Sequence, residues 1–187
     1  MKKLLLIFII LFGFTACSEK EEMDAQSIFQ LNSTWENQFG NQFKLHELKG
    51  KTLVMVMIYT NCKTACPRLT AEMRDIERNI GEYDPEKIRF VLVSIDPEHD
   101  TPETMKTYLD HNKFLGEQWL FIRANEADTR EFANVLSVKY KQISPIDFSH
   151  SNIISVFSES GVLTYQKEGL TVDTEGITKE IKKQLKS

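Results

Sequence analysis

Two cysteines separated by three residues offer the clearest chemistry in the chain. Cys62 and Cys66 lie in the segment Cys-Lys-Thr-Ala-Cys-Pro, directly after the apolar run of residues 53–59. This pattern predicts a buried strand that delivers both thiols to the loop at the entrance of a helix. Thiols at such a place tend toward thiolate, because unpaired backbone N–H groups and the helix dipole favour negative charge. Two thiolates at this spacing can close a disulfide or share one soft metal ion, and the sequence permits both outcomes.

The N-terminal residues have the pattern of an export signal followed by a tether. Residues 1–3 are Met-Lys-Lys, residues 4–14 are apolar apart from a glycine, and small residues follow. This run is too short to cross a bilayer, which needs roughly 20 residues, but it suits a secretory signal. The segment Phe-Thr-Ala-Cys that ends at Cys17 resembles the lipobox of bacterial lipoproteins, although an ordinary signal with an incidental cysteine is the alternative. We expect a lipoprotein signal peptide over residues 1–16, a lipidated Cys17 that anchors the chain to a membrane, and a polar tether over residues 17–27.

Residues 28–187 have the composition of one domain that is large enough to bury a core without disulfide staples. The net charge of −4 and the pI near 5.6 argue against a nucleic-acid partner. Beyond Cys17, the chain contains only Cys62 and Cys66 as cysteines. Export implies an oxidising compartment, so this pair can oxidise unless it is kept reduced or holds a metal.

The hydrophobic periodicity predicts strands that alternate with helices. Strands are expected at residues 53–59, 88–95 and 119–122, hairpins within residues 29–45 and 153–165, and later helices near residues 132–136 and 177–185. The helix after the first of these strands is expected to begin at Pro67 and to end at Gly81. Thr101 before Pro102 predicts the capped start of the next helix. We therefore predict an α/β fold with a central, mostly parallel sheet, an antiparallel edge hairpin, flanking helices and an N-terminal β-hairpin.

Three separated motifs give the chain a resemblance to a known family. Residues 59–67 are Tyr-Thr-Asn-Cys-Lys-Thr-Ala-Cys-Pro, residues 93–103 are Val-Ser-Ile-Asp-Pro-Glu-His-Asp-Thr-Pro-Glu, and residues 147–151 are Asp-Phe-Ser-His-Ser. Their order and spacing resemble those of the SCO/SenC family over residues 29–185. The resemblance implies a membrane-anchored, thioredoxin-like, copper-binding protein that takes part in assembling the copper centre of cytochrome c oxidase.

The resemblance also implies which residues hold the copper. The family's ligands are two cysteines and a distant histidine before a late strand, and these correspond to Cys62, Cys66 and His150. The family usually has Asp before the histidine and often has Pro after the first cysteine, whereas this chain has Ser149 and Lys63. We expect Ser149 to change the support of the histidine ring, and Lys63 to change the stiffness and charge of the loop.

The chemistry of these ligands favours copper over zinc. Soft thiolates suit Cu(I), and an added imidazole makes a three-ligand site that also accepts Cu(II), whereas structural zinc normally takes four protein ligands. A stapling disulfide between Cys62 and Cys66 would contribute little through chain entropy, because its loop is short. We therefore expect one copper ion per chain. Because the ligands must be deprotonated to bind, acid should release the metal.

The other histidines and the strand methionines are weaker candidates. We predict that His46, His99 and His111 lie in a loop, a turn and a helix end, exposed to solvent. Met55 and Met57 fall within the predicted buried strand, where core packing is favoured over thioether ligation.

Two functions of different classes fit these residues. The first is a copper chaperone that delivers copper to an oxidase subunit or to another copper carrier. The second is a thiol–disulfide oxidoreductase in which the redox-active Cys62 attacks a partner disulfide and Cys66 resolves the intermediate. Copper transfer needs His150 and dithiol exchange does not. In either case we expect an exported lipoprotein of a bacterial cell envelope, with its domain outside the cytoplasm.

Overall fold

The computed structural model describes residues 24–63, 65–145, 147–170 and 174–186. The strands are β1 (Trp35–Asn37), β2 (Gln42–Phe43), β3 (Thr52–Ile58), β4 (Ile88–Ser94), β5 (Trp119–Arg123), β6 (Tyr140–Ser144), β7 (Asp147–His150), β8 (Ile153–Phe157) and β9 (Leu163–Glu168). The helices are α1 (Cys66–Ile80), α2 (Pro102–His111), α3 (Glu126–Val135) and α4 (Glu175–Gln184). Strands and helices therefore alternate through the middle of the chain, as the periodicity predicts.

Seven strands form one mixed sheet in the order β2-β1-β5-β4-β3-β8-β9. The α/β architecture is confirmed, but among the described residues parallel pairing is limited to β3 with β4 and β4 with β5. Antiparallel strands lie on both sides of this centre, because β1 pairs with β5 and β8 pairs with β3. The predicted edge and N-terminal hairpins are present, but the prediction that most of the sheet is parallel was wrong, because most strand pairs are antiparallel. The N-terminal hairpin joins the same sheet as the C-terminal one.

Strand β3 forms the centre of the core and leads to the cysteines. All seven of its residues are buried, as expected for a strand that neighbouring strands and helices cover on both faces. Met55 and Met57 are among them, which confirms their packing role. Helix α1 then runs back along the sheet and buries Leu69, Met73 and Ile76. It ends at Gly81, whose φ of 80° lies in the left-handed region that glycine tolerates.

The hairpin predicted within residues 29–45 is present, although its first strand begins only at Trp35. Gly40 occupies the turn with a φ of 79°, and β1 and β2 flank it. The predicted range begins at Phe29, but Ile28–Gln30 form a short 3₁₀ turn instead of a strand. The Ser27 side chain accepts the N–H of Phe29 and starts this turn, while Phe29 is buried. Local capping and burial of one aromatic ring thus replace strand pairing.

A second, two-stranded sheet was absent from the sequence prediction. Strands β6 and β7 form an antiparallel hairpin between α3 and β8. Its residues are mostly exposed or half-buried, so the segment lacks the strong apolar alternation that signals a strand. Within the described ranges, no helix has both the length and the apolar character needed to cross a membrane.

Candidate metal centre

Three side chains from distant parts of the chain converge beside the end of β3. Cys62 lies in the loop after β3, Cys66 is the first residue of α1, and His150 is the last residue of β7. One ligand atom from each lies within 4.8 Å of the other two. Cys66 Sγ and His150 Nε2 lie 3.5 Å apart. Two sulfurs and one imidazole nitrogen at these distances can close around a single soft metal ion.

Helix α1 begins one residue earlier than predicted. Pro67 was expected to be its first residue, with both thiols on the preceding loop, but Cys66 already belongs to the first turn. The N–H of Cys66 has no partner within the helix, and Cys62 Sγ accepts it at 3.3 Å. The sulfur of Cys62 therefore caps the first turn of α1 and also faces the thiol of Cys66.

The two thiols are reduced and buried. Cys66 has 0% of its surface exposed and Cys62 has 7%, and no disulfide joins them. A hydrogen bond to Cys62 and burial together raise the pKa of the Cys66 thiol. In the metal-free domain Cys66 therefore keeps its proton, contrary to the expectation that the helix start would favour a thiolate there. Burial and the neighbouring sulfur outweigh the helix dipole.

The imidazole of His150 is held by the main chain rather than by an acidic neighbour. Its Nδ1 lies 3.0 Å from the carbonyl oxygen of Ser151, and because a carbonyl only accepts, Nδ1 donates the proton. Nε2 is then left with the lone pair that faces Cys66. Ser149, which replaces the expected Asp, is exposed, and side-chain alternation along β7 directs it away from the face that bears His150. A backbone carbonyl thus provides the orienting contact.

Tyr59 links the cysteine loop to the hairpin that carries His150. Its hydroxyl donates to a carboxylate oxygen of Asp147 and accepts the N–H of Phe148 at 3.2 Å. Burial and the hydrogen bond to Asp147 raise the pKa of Tyr59, so the phenol remains a proton donor. The sequence patterns did not predict this contact. The available signal was the Tyr59 hydroxyl within the cysteine motif and the Asp147 carboxylate within the histidine motif.

A buried carboxylate, that of Asp100, is hydrogen-bonded to the start of the cysteine loop. Asp100 is fully buried and accepts the backbone N–H of Thr60 at 3.1 Å and the Ser94 hydroxyl at 2.6 Å. Burial raises its pKa, while these hydrogen bonds act in the opposite direction. Thr60 lies two residues before Cys62, so Asp100 fixes the start of the loop to the end of β4.

The remaining histidines lie outside the site. His46 and His111 are exposed, as expected. His99 is half-buried rather than exposed, because its Nδ1 lies 2.8 Å from a carboxylate oxygen of Asp96. This contact raises the pKa of His99. The predicted signal peptide of residues 1–16 and the predicted lipidation site Cys17 lie outside the described residues.

Comparison with characterised sequences identifies the relatives of this chain. The sequence model of the SCO1/SenC family matches residues 19–186. A SCO1 protein homolog of Bacillus subtilis is 30% identical over 129 residues, which cover 68% of this chain and 65% of the relative. The chain therefore spans slightly less than two thirds of the length of that relative.

Solved structures share the fold. The structure of Bradyrhizobium japonicum ScoI with copper bound has a TM-score of 0.69 and 25% identity, and the match covers 82% of this chain and 97% of that one. A SCO1/SenC family lipoprotein from Bacillus anthracis has a TM-score of 0.74 and 24% identity, with coverage of 84% and 95%. The thioredoxin-like fold predicted from the sequence is thus confirmed. Because the family match covers nearly the whole chain, this protein belongs to the SCO1/SenC family.

Proposed function

We propose that this protein is a copper chaperone that binds one copper ion through Cys62, Cys66 and His150. It would deliver the ion to an oxidase subunit, or to another copper carrier, during assembly of the copper centre of cytochrome c oxidase. The observation that carries this proposal is the meeting of two thiols and an imidazole nitrogen within 4.8 Å. Membership of the SCO1/SenC family and the copper bound to a structural relative support it.

The composition of the site suits a metal that must be both held and released. Two sulfurs favour Cu(I), and the imidazole extends the site to Cu(II). Three protein ligands leave a coordination position for a donor or acceptor protein. Both thiols are buried, whereas His150 is half-buried, so the histidine is the ligand nearest to solvent. Exchange of copper with a partner would start on that side.

The test is a copper titration of the reduced domain. We expect an endpoint of one copper per chain. Because the pKa of Cys66 is raised and its thiol must lose a proton to bind, affinity should fall by about tenfold per pH unit for each displaced proton as the pH decreases. A stoichiometry near zero, together with efficient turnover of a disulfide substrate, would reject the copper proposal.

A thiol–disulfide oxidoreductase is the second candidate, and the difference in thiol exposure favours its predicted order of attack. Cys62 is the more accessible thiol, so its thiolate would attack a partner disulfide and release one partner thiolate. Cys66 would then attack the mixed disulfide and release the second. The partner gains two electrons and the protein is left with a Cys62–Cys66 disulfide. This reaction needs no metal and no histidine ligand.

We also propose that the domain is exported and anchored through a lipid on Cys17, with residues 1–16 removed. The small-residue segment before Cys17 supports this, as does a lipoprotein among the structural relatives. Mass analysis of protein extracted from membranes should find an acylated cysteine as the first residue, and the Cys17→Ser variant should lose it. A mature chain that begins elsewhere and carries no acyl group would contradict the anchor.

A further inference from the structure

The side chain of Tyr59 bridges the two halves of the candidate metal centre. Tyr59 directly follows β3, and its backbone carbonyl accepts the N–H of Cys62 at 3.3 Å. Its side chain points toward β7, its hydroxyl also lies within hydrogen-bonding range of the Cys62 thiol, and only 1% of the residue is exposed. One residue therefore contacts the cysteine loop through both its main chain and its hydroxyl, and the same hydroxyl contacts the histidine hairpin.

The phenol makes three polar contacts with the start of β7. The O–H group donates to the carboxylate of Asp147 and also lies 3.3 Å from the Phe148 carbonyl oxygen, and the phenol oxygen accepts the Phe148 N–H at 3.2 Å. The same N–H lies 3.0 Å from Asp147 Oδ1. The ring meets the Phe148 ring edge-on at a centroid distance of 5.2 Å and the His150 ring at 6.1 Å. Phe148 and His150 are two residues apart in a strand, so they share the face that Tyr59 covers.

The hairpin needs such an attachment because the main sheet does not hold it. Within the described residues β7 pairs with β6 alone, in a sheet separate from the one that contains β3. The chain connections of β6 to α3 and of β7 to β8 fix the open end of the hairpin, where the Ser151 N–H donates to the Lys139 carbonyl at 2.8 Å. The contacts of Tyr59 lie on the other side of the histidine, at Asp147 and Phe148. His150 is therefore placed between the chain connections at the open end and the contacts of Tyr59.

We propose that the Tyr59 hydroxyl is a positioning group that fixes the β6–β7 hairpin to the end of β3 and so holds His150 Nε2 beside the cysteine sulfurs. The inference rests on the proposed function, because it assumes that His150 binds the metal. Removing the hydroxyl should leave the ring packing in place and, apart from one contact with the Cys62 thiol, should affect mainly the hairpin, so that the histidine can move. The bond between the metal and the His150 imidazole would then be weaker.

The first test compares copper affinity in Tyr59→Phe and Asp147→Ala with that of the wild type. Each should weaken binding by roughly tenfold, as is typical for groups that orient a metal ligand, and the double variant should be no weaker than either single one. In the His150→Ala background, Tyr59→Phe should cause a much smaller loss, because its main action is through the histidine and only its contact with the Cys62 thiol remains. The Cu(II) spectrum of Tyr59→Phe should shift toward that of His150→Ala.

Tyr83→Phe is the matched control. The Tyr83 hydroxyl also donates to a carboxylate, Glu77 Oε1 at 2.7 Å, but it lies beyond the far end of α1, roughly 20 Å along the helix from Cys66. This variant should bind copper as the wild type does. Wild-type affinity in Tyr59→Phe, or an equal loss with and without His150, would overturn the proposal.

A measurement on the metal-free domain separates this inference from the proposed function. In Tyr59→Phe, the Phe148 amide keeps Asp147 Oδ1 as an acceptor but loses the phenol oxygen, so it should exchange with solvent measurably faster, and the His150 ring resonances should shift or broaden, with neither change in Tyr83→Phe. Unchanged exchange and ring signals would reject the positioning role even if copper binds. Equal copper affinity in the wild type and His150→Ala would instead reject the ligand assignment, while the exchange data still decide the role of Tyr59.

Discussion

Replacing His150 with alanine is expected to weaken copper binding by more than about 100-fold, which exceeds the usual cost of losing a group that merely orients a ligand. The imidazole Nε2 lies 3.5 Å from Cys66 Sγ and supplies the only nitrogen of the proposed site. Its loss leaves two sulfurs, which still bind Cu(I) but no longer form a three-ligand site suited to Cu(II). The loss should therefore be larger for Cu(II) than for Cu(I).

The same substitution should leave dithiol exchange nearly unchanged, because both thiols remain. Copper affinity is measured by competition with a chelator, and exchange by the rate at which the reduced domain cleaves a soluble aromatic disulfide. His111→Ala, which removes an exposed histidine at the end of α2, is the control and should change neither quantity. Equal copper affinity in His150→Ala and the wild type would reject the ligand assignment and leave the oxidoreductase as the better function.

The cysteine half of the site could be predicted because its signals are local. An unbroken apolar run gives β3, and Pro67 and Gly81 fix the limits of the following helix to within one residue. The thiols must then lie where a buried strand meets a helix. The charge state of Cys66 could not be predicted in this way, because it depends on the proximity of Cys62 Sγ and on burial by the completed fold.

The role of His150 as a ligand could be predicted only from the family resemblance. His150 lies 84 positions from Cys66, on a hairpin whose residues carry little apolar periodicity, so no local rule brings it to the thiols. The contact between Tyr59 and Asp147 spans 88 positions and is equally invisible to pattern analysis. Long-range polar contacts of this kind are set by how the hairpin sits on the sheet, which the sequence does not state.

The order of the strands in the sheet could not be predicted from local sequence patterns either. Each predicted hairpin exists, yet the pattern could not tell that β1 would pair with β5 and thereby extend the parallel centre with antiparallel strands on both sides. Strand type is a local property, whereas the choice of neighbour depends on connections and packing.

A buried ion pair secures the helix that carries Cys66. The Lys167 ammonium on β9 contacts the Glu72 carboxylate on α1, and these side chains are only 11% and 8% exposed. Taking both charges out of water is costly, so the pair itself need not add net stability. Removing one partner is different, because the remaining charge then stays buried without its counter-ion.

Lys167→Met should therefore lower the free energy of unfolding of the metal-free domain by about 3–5 kcal/mol, as measured by urea denaturation at neutral pH. Adding Glu72→Gln should recover much of this loss, because no charge then remains buried. Arg78→Met is the matched control, since Arg78 pairs with Asp75 on the same helix but is 74% exposed, and it should cost less than about 1 kcal/mol. Equal losses in Lys167→Met and Arg78→Met would mean that burial does not set the strength of this contact.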